Sequence, residues 1–287
     1  MGTSPTQRKL LAGGALLASF AFLYRHVVVK LVHDWATDDN YSHGFLIVPL
    51  ALYLAWERRQ GLAGLAPRPS VSGLLIVLAS VGVLAAGTLG AELFLARVSM
   101  IGVLAGAIVF LYGWQHLRTL AFPVAFLLLM VPLPALIFNQ VAFPLQLLAS
   151  RAGEMALSVL HIPVLREGNV IVLAHTTLEV AEACSGIRSL VSLLTLGIVY
   201  GYFIDPRGPV RVAIALSTVP VAIAANGLRV AGTGVAAQYY GAQAAQGFLH
   251  SFSGWMVFVV ALVAIFGVRY VLVAGIHAAS SWRAVPS

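Results

Sequence analysis

Long apolar runs separated by short polar stretches set the pattern of this chain. A transmembrane helix needs about 20 predominantly apolar residues. Eight runs reach or approach this length, and they cover approximately residues 10–24, 45–56, 71–89, 95–114, 120–138, 187–204, 212–228 and 252–273. The second run is short and is expected to begin before Gly44. The pattern predicts an all-α polytopic membrane protein with about eight transmembrane helices.

The first run follows Arg8 and Lys9, which is also how a secretory signal peptide begins. No convincing small-residue cleavage site precedes Arg25, so we expect this run to stay in the protein as an anchor. The fifth run contains or adjoins three prolines, at 123, 132 and 134. Proline removes a backbone donor and kinks or breaks a membrane helix, so this run is expected to be irregular.

The longest segment without a predicted span lies between the fifth and sixth runs, at residues 139–183. Its first part is amphipathic enough to lie on the membrane surface or in a groove. Its second part alternates β-branched residues around Glu167, Gly168 and Asn169, which predicts a short β-hairpin. We therefore expect a small insertion, made of an amphipathic helix and a hairpin, outside the cytoplasm.

Composition supports a membrane protein and limits what else the chain holds. Hydrophobic residues make up 60% and charged residues 9%, and the mean hydropathy is +0.93. A soluble domain carries about 25% charged residues. We therefore expect one transmembrane domain over residues 1–287 with no separate soluble domain. The single cysteine excludes an intramolecular disulfide and a cysteine-only zinc site.

The charges predict the orientation of the spans. With the N-terminus in the cytoplasm, eight spans return the C-terminus there. The inner side then carries ten of the 17 basic residues: Arg8, Lys9, Arg58, Arg59, Arg68, Arg118, Arg207, Arg211, Arg269 and Arg283. Two of the ten acids, Glu57 and Asp205, join them, which gives +8 inside and −1 outside. This agrees with the positive-inside rule, and the net charge of +7 reads as a topology signal rather than a nucleic-acid signal.

Three chemically reactive residue types meet at the outer face under this topology. Cys184 opens the sixth span, Arg229 closes the seventh and His250 opens the eighth. A thiolate can attack a carbonyl, an imidazole can move protons, and a guanidinium can neutralise a developing oxyanion. The combination suits acyl transfer, and no glycine-flanked serine elbow offers a serine mechanism.

The surroundings of Cys184 contain influences of both signs. The first turn of a helix favours a thiolate, and Arg188 lies four residues later on the same helical face. Glu179 and Glu182 oppose ionisation if they lie close. A structural interpretation also stands beside the catalytic one: a lone cysteine packs as a small hydrophobe, and arginines near helix ends extend to lipid headgroups. His161 and His175 are isolated, so we expect neither a metal site nor a cofactor.

Five stretches of this chain resemble the exosortase/archaeosortase family of polytopic membrane cysteine transpeptidases. They are "NYSHGFLIVPLALYLAW" at 40–56, "VPLP" at 131–134, "ACSGIRSL" at 183–190, "NGLRV" at 226–230 and "HSFSGW" at 250–255. The order of cysteine, arginine and histidine and the gaps between them are also similar to the family's. The resemblance covers nearly the whole chain and implies a catalytic half at about residues 139–275.

The resemblance implies a role for each site residue. Cys184 is expected to be the nucleophile, His250 the general acid/base and Arg229 their electrostatic partner. The substrate-binding candidates are Arg188, Asn226, His43 and Tyr41. His43, on the same outer face, is also a rival for the proton-transfer role, although a capping or interfacial histidine is the simpler interpretation.

The resemblance also implies a substrate and a location. The family cleaves C-terminal sorting tails of exported proteins, each with a short Pro-Glu-Pro-like motif, a transmembrane helix and a basic cluster. The acyl group then passes to an amine or hydroxyl acceptor, which a lipid or a polysaccharide can carry. Such systems often accompany exopolysaccharide production in bacteria. The expected location is the bacterial cytoplasmic (inner) membrane, with the active site on the periplasmic face.

Two alternatives remain open from the residues alone. One is a transporter or anionic-lipid-handling protein in which Arg229 and Arg188 bind a headgroup, so that replacing Cys184 has little effect. The other keeps the thiol chemistry but ends in hydrolysis, as in an intramembrane-type protease.

Overall fold

The computed structural model describes residues 5–174, 176–180, 187–241, 243 and 248–283, and helices account for most of them. The elements of the first half are α1 (Pro5–Thr37), α2 (Gly44–Glu57), α3 (Arg59–Ala63), α4 (Val71–Leu89), α5 (Leu93–Tyr112), α6 (Trp114–Phe126) and a 3₁₀ turn (Leu127–Met130). Those of the second half are α7 (Ala135–Val159), β1 (Val164–Glu167), β2 (Val170–Leu173), β3 (Thr177–Glu179), α8 (Ile187–Ile204), α9 (Gly208–Tyr240) and α10 (Phe248–Arg283).

The length and apolarity of the helices confirm a polytopic all-α membrane protein. Within the described residues five helical segments are long and apolar enough to cross a membrane: Gly13–Thr37, Val71–Leu89, Leu93–Leu111, Gly208–Tyr240 and Phe258–Ile276. A sixth is obtained if Trp114–Met130 and Ala135–Val159 together form one span. Gly44–Glu57 and Arg188–Ile204 are apolar but shorter. Length alone thus supports five or six of the eight predicted spans.

The predicted fifth span, 120–138, is not one helix. Helix α6 ends at Phe126, the 3₁₀ turn ends at Met130, and α7 begins at Ala135. The intervening "VPLP" has no helical structure, since its two prolines lack the N–H that a helix would use and push the preceding residues into extended conformations. By contrast, Pro123 and Pro144 lie within α6 and α7.

Three helices extend further than their apolar runs predicted, and one of them is α10, which covers Phe248–Arg283 instead of 252–273. Helix α1 continues from the predicted end at residue 24 to Thr37 and thus includes the charged residues Lys30 and Asp34. Helix α9 continues from the predicted end at 228 to Tyr240. It ends at Gly241, whose φ of +83° an L side chain would resist.

The chain divides into two compact units, residues 1–134 and 135–287. In the first unit α4 and α5 approach closely through small residues. A Cβ added at Gly106 would lie 2.8 Å from the backbone nitrogen of Val77, and one at Gly73 would overlap the backbone of Phe110. Such contacts are typical of helix pairs in membranes, where close backbone packing replaces the hydrophobic effect. The first unit also holds an apolar cavity of about 710 Å³ lined by residues of α1, α2, α5 and α6, together with Leu127 and Met130 of the 3₁₀ turn.

The second unit contains a small antiparallel sheet in the order β1-β2-β3. Strands β1 and β2 pair around the turn at Gly168 and Asn169, and Gly168 has the positive φ (+66°) that a two-residue hairpin turn requires at its first central position. The sequence predicted this hairpin but not β3, which adds a third strand along β2.

Two hydrophobic clusters organise the second unit. The sheet packs on α7 and α9 through Ala149, Leu157, Ile162, Ile171, Leu173, Val180, Val230 and Ala237. The three long helices α8, α9 and α10 share a separate cluster of Leu193, Val210, Ile214, Ala222, Ala225, Ala261 and Ile265. Helix α9 contributes to both clusters and therefore connects the sheet to the three-helix group.

Candidate functional site

The predicted nucleophile lies outside the described residues, as do its neighbours at 181–186. The described chain stops at Val180, which directly follows β3, and resumes at Ile187, the first residue of α8. Arg188 is in the first turn of α8 and is partly buried. The two described ends of the chain around Cys184 are therefore one end of the sheet and the start of a helix.

The predicted arginine lies inside a helix rather than at its end. Because α9 runs on to Tyr240, Arg229 has more than two helical turns after it. Arg229 is partly buried, and the backbone carbonyl of Arg229 accepts a hydrogen bond from the Thr233 hydroxyl at 2.9 Å. Asn226, one turn earlier, is only 4% exposed. A helical spacing of three residues puts both polar side chains on one side of α9.

The predicted histidine belongs to the start of the last helix. His250 is the third residue of α10, which begins at Phe248, as the sequence led us to expect. Backbone N–H groups at the first turn of a helix have no intrahelical partner and favour nearby negative charge.

Contacts between α8 and α9 show which residues of the two helices lie at the same level, that is, at the same height along the helix axes. The two helices run antiparallel: Gly201 faces Arg211, and Gly197 faces Ala215 and Thr218. Moving back from these contacts to the start of α8 corresponds to moving forward by the same number of residues along α9, which leads to residues 224–228. Arg229 therefore lies within about one helical turn of the level of Ile187.

Contacts between α8 and α10 define a second level. The rings of Tyr200 and Phe266 lie 4.8 Å apart, centroid to centroid. Further along both helices, Arg269 of α10 helps to lower the pKa of Asp205, which follows the end of α8. The ring pair and this electrostatic interaction advance in the same direction along both helices, so α8 and α10 run parallel. Counting back from the ring pair puts the start of α8 level with the first two turns of α10, which include His250.

The hydrophobic cluster of the sheet contains one residue close in sequence to the cysteine motif and one residue of the arginine motif. Val180, four residues before Cys184, and Val230, next to Arg229, belong to the same cluster. At the centre of this cluster a Cβ added at Gly153 would lie 2.6 Å from Cγ1 of Val230 and 3.3 Å from Cδ1 of Ile171. Helix α7, helix α9 and β2 thus meet where Gly153 leaves space.

Hydrogen bonds hold the end of the sheet in place just before the cysteine motif. The Val180 N–H donates to the carbonyl of Asn169 at 2.9 Å, and Nδ2 of Asn169 donates to the carbonyl of Val180 at 3.4 Å. On β1, Nε of Arg166 donates to Oε2 of Glu154 on α7 at 2.8 Å. The end of the sheet is therefore bonded to the hairpin turn, and β1 is bonded to α7.

Two other candidates, Tyr41 and His43, lie in the first unit, in the turn between α1 and α2. Nε2–H of His43 donates to the backbone carbonyl of Leu129 at 3.1 Å, and burial lowers the pKa of His43. Burial also raises the pKa of Tyr41, while a backbone hydrogen bond with Leu133 opposes that rise. Two of the stretches that carry the family resemblance, 40–56 and 131–134, are therefore in contact through Tyr41 and Leu133.

A buried ion pair in the first unit was not predicted. Arg97 of α5 is 3% exposed, and its Nη2 lies 2.5 Å from Oδ2 of Asp34 on α1. Lys30 approaches the other carboxylate oxygen at 3.1 Å but is half exposed. The sequence contained a signal for this ion pair, because Arg97 interrupts the fourth apolar run, and a charge inside such a run requires a partner.

The short loop between α8 and α9 forms a compact charged turn. Asp205 is 4% exposed and accepts hydrogen bonds from the backbone N–H and the guanidinium of Arg207, at 2.7–2.9 Å. Nε of Arg211 donates to the backbone carbonyl of Asp205 at 2.6 Å. The bonds from Arg207 hold the pKa of Asp205 well below its usual range.

No group of three or more histidine, cysteine, aspartate or glutamate side chains suited to a metal ion occurs within the described part of the chain.

Comparison with known proteins gives one result. The family model for the transmembrane exosortase (Exosortase_EpsH) matches residues 35–267, which include the cysteine, arginine and histidine motifs. No curated protein and no solved structure gives a significant match.

Proposed function

Because this chain belongs to the transmembrane exosortase family, we propose that it is a membrane-embedded cysteine transpeptidase that cleaves the C-terminal sorting tails of exported proteins. Cys184 is the nucleophile, His250 the general acid/base and Arg229 the electrostatic partner. Arg188 and Asn226 of the second unit bind the substrate, and Tyr41 and His43 of the first unit are further substrate-binding candidates.

The observation that carries this proposal is the agreement of the helix levels. Arg229 of α9 and the first turns of α10 are both level with the start of α8, and Cys184 precedes that start by three residues. The shared cluster of Val180 and Val230 supports the same arrangement from the other side of Cys184. The agreement of these levels supports a site at one end of the helix group α8–α10.

The eight-span topology is part of the proposal. Five segments meet the length requirement, and the pair on either side of "VPLP" supplies a sixth span. Two short apolar helices, Gly44–Glu57 and Arg188–Ile204, supply the remaining two. Both termini are then cytoplasmic, the basic turn around Asp205 faces the cytoplasm, and the site faces the periplasm of the inner membrane. The second compact unit, 135–287, contains the proposed catalytic half, 139–275.

The first half of the reaction forms a thioester. The thiolate of Cys184 attacks the scissile carbonyl carbon, and Arg229 stabilises the oxyanion of the tetrahedral intermediate. His250 gives its proton to the leaving nitrogen as the C–N bond breaks. The tail then leaves with a new amino terminus, and the substrate stays attached to Cys184 through its acyl group.

The second half of the reaction transfers that acyl group. An amine or hydroxyl acceptor attacks the thioester, His250 takes the proton of the acceptor, and the thiolate of Cys184 leaves. An acidic residue of the sorting motif pairs with Arg188 or Arg229, as expected of a guanidinium facing a carboxylate. Water as the acceptor would give hydrolysis instead of transfer.

Co-expression with a protein that carries a sorting tail tests the proposal. Tail removal is expected with the wild-type enzyme and with Ser185→Ala, and it is expected to disappear with Cys184→Ala. The nucleophile assignment fails if Cys184→Ala still removes the tail at the wild-type rate. Mass spectrometry of the mature substrate then separates the two outcomes, since a free C-terminal carboxylate indicates hydrolysis and an added mass indicates transfer.

A further inference from the structure

The edge of the sheet next to the cysteine motif has backbone groups directed away from the rest of the sheet. Hydrogen bonds join the pairs Leu173–Thr176 and Asn169–Val180. In an antiparallel ladder, hydrogen-bonded and non-hydrogen-bonded pairs alternate. Ile171–Leu178 is therefore a hydrogen-bonded pair, whereas Thr177 and Glu179 stand opposite Val172 and Val170 in non-hydrogen-bonded pairs. The N–H and C=O groups of Thr177 and Glu179 consequently point to the outer edge.

This outer edge is accessible in the part of the chain that the structure describes. Thr177 and Glu179 are exposed, and no described backbone group bonds to their outward N–H and C=O groups. Strand β3 is the last strand on this side of the sheet. Outward backbone groups on an edge strand are a template for an additional strand.

The edge is also fixed in position. The side chain of Leu178 packs on the cluster that contains Val230, and Val180 is held by two hydrogen bonds to Asn169. The hairpin β1–β2 supports β3 from behind and is itself tied to α7 through Arg166 and Glu154. A peptide that pairs with this edge meets a rigid partner, so little ordering of the protein opposes binding.

The distance along the chain from this edge to the nucleophile is short. Cys184 lies five positions after Glu179, and five steps along the chain span at most about 17 Å when fully extended. A peptide segment of about five residues covers the same length at ~3.3 Å per residue. One extended substrate segment can therefore reach both the edge and the thiol.

We propose that the outer edge of β3 binds the substrate next to its scissile bond as an added β-strand, through the backbone N–H and C=O groups of Thr177 and Glu179. This inference rests on the proposed function, and it names the substrate contact that the function leaves open. Backbone pairing recognises extended conformation rather than side-chain identity. The edge therefore positions the scissile carbonyl for attack by Cys184, and the charged residues of the site select the sorting motif of the substrate.

The first experiment uses the full-length enzyme in proteoliposomes with a tailed substrate. Thr177→Pro and Glu179→Pro remove outward N–H groups that β2 does not use, so the sheet keeps its ladder. Thr177→Val and Glu179→Gln, which keep those N–H groups, are the matched controls. Each proline variant is expected to lower kcat/KM by roughly 3- to 10-fold, the size expected for one lost hydrogen bond, mainly through KM. Melting temperature is expected to stay at the wild-type value, and the iodoacetamide labelling rate of Cys184 is expected to equal that of the matched control variant.

The second experiment changes the substrate and leaves the protein intact. A synthetic tail peptide is methylated at one backbone nitrogen at a time on both sides of the scissile bond. Because alternate residues of a strand face its neighbour, cleavage is expected to fall at every second position. A flat profile, or proline variants that fold normally and cleave at the wild-type kcat/KM, overturns the edge inference. Failure of the wild-type enzyme to cleave the tail, or undiminished cleavage by Cys184→Ala, would instead overturn the proposed function.

Discussion

Val180 and Val230 lie in one hydrophobic cluster, 2% and 5% exposed, although 50 residues of sequence separate them. Val180 ends the described chain before Cys184, and Val230 directly follows Arg229. Their packing joins the segment that leads to the proposed nucleophile to the helix that carries its proposed electrostatic partner. Several consequences of this packing, and of the contacts that support each unit, can be measured.

Replacing Val230 with alanine should weaken this connection. The cavity left in the cluster is expected to lower the free energy of unfolding by about 1–3 kcal/mol and to reduce tail cleavage more than stability alone explains. Denaturant unfolding in detergent and cleavage of a tailed substrate measure the two effects. Leu228→Ala, at a 59% exposed position two residues earlier, is the control and should change neither. Equal results for the two variants would contradict the role of the cluster.

Glycine at 227 should be required for the close approach of α7 and α9. A Cβ at this position would lie 2.7 Å from Cβ of Ala152, so Gly227→Ala is expected to destabilise the protein by about 1–3 kcal/mol. Gly232→Ala on the same helix meets nothing within 4 Å and is expected to be neutral or slightly stabilising. Thermal unfolding compares the two variants. Adding Ala152→Gly to Gly227→Ala should restore part of the loss, and no restoration would show that the contact is not the cause.

Removing the carboxylate of Asp34 should leave Arg97 buried without its ion-pair partner. Asp34→Asn is expected to cost about 3–5 kcal/mol, since an uncompensated buried charge is expensive. Lys30→Met, which removes the half-exposed partner, should cost less than about 1 kcal/mol. Unfolding curves of the two variants provide the measurement. A double variant with Asp34→Leu and Arg97→Leu should recover much of the loss, and an Asp34→Asn protein as stable as wild type would refute the pairing.

The stability of the first unit should depend on pH through His43. Burial lowers the pKa of His43 in the folded state, so the unfolded chain takes up its proton first, near the usual pKa of about 6.5. Stability contributed by neutral His43 is therefore complete above that pH and is lost as the pH falls through it, until the folded pKa is reached.

The variant His43→Gln, which does not titrate, measures this contribution. The melting temperature of the variant relative to wild type should rise as the pH decreases from 8 to 5. His33→Gln, at an exposed position of α1, is the control for the replacement of a histidine by glutamine. A constant difference between His43→Gln and wild type over this range would rule out the pH effect.

The sequence predicted most helices because apolar runs directly reflect burial in a bilayer. It predicted the end of α9 at 228, twelve residues too early, since the segment after Arg229 consists mainly of small residues whose hydropathy is low. Packing extends the helix instead: a Cβ at Gly234 would lie 2.8 Å from Cδ1 of Leu157, and Gly241 ends the helix. Strand β3 was also missed, because three residues carry no periodic signal and their strand exists through pairing with β2.

The site could be predicted as a set of residues but only partly as an arrangement. The motifs around Cys184, Arg229 and His250 are visible in the sequence, and the family match covers all three. Their common level depends on contacts such as Tyr200 with Phe266, which join residues that no local pattern connects. Arg97 illustrates the opposite case, since its charge is obvious in the sequence whereas its partner Asp34 is found 63 positions away.

The proline-containing break at 131–134 also orders events during synthesis. All residues of the first compact unit precede Ala135, and the cysteine, arginine and histidine motifs all follow it. Domains generally fold as units while the chain emerges, with the N-terminal one first. The ribosome therefore delivers a complete first unit, with its buried ion pair, before it makes the thiol. Cys184 follows the last residue of the first unit by 50 positions, so the reactive group is synthesised only after that unit is complete.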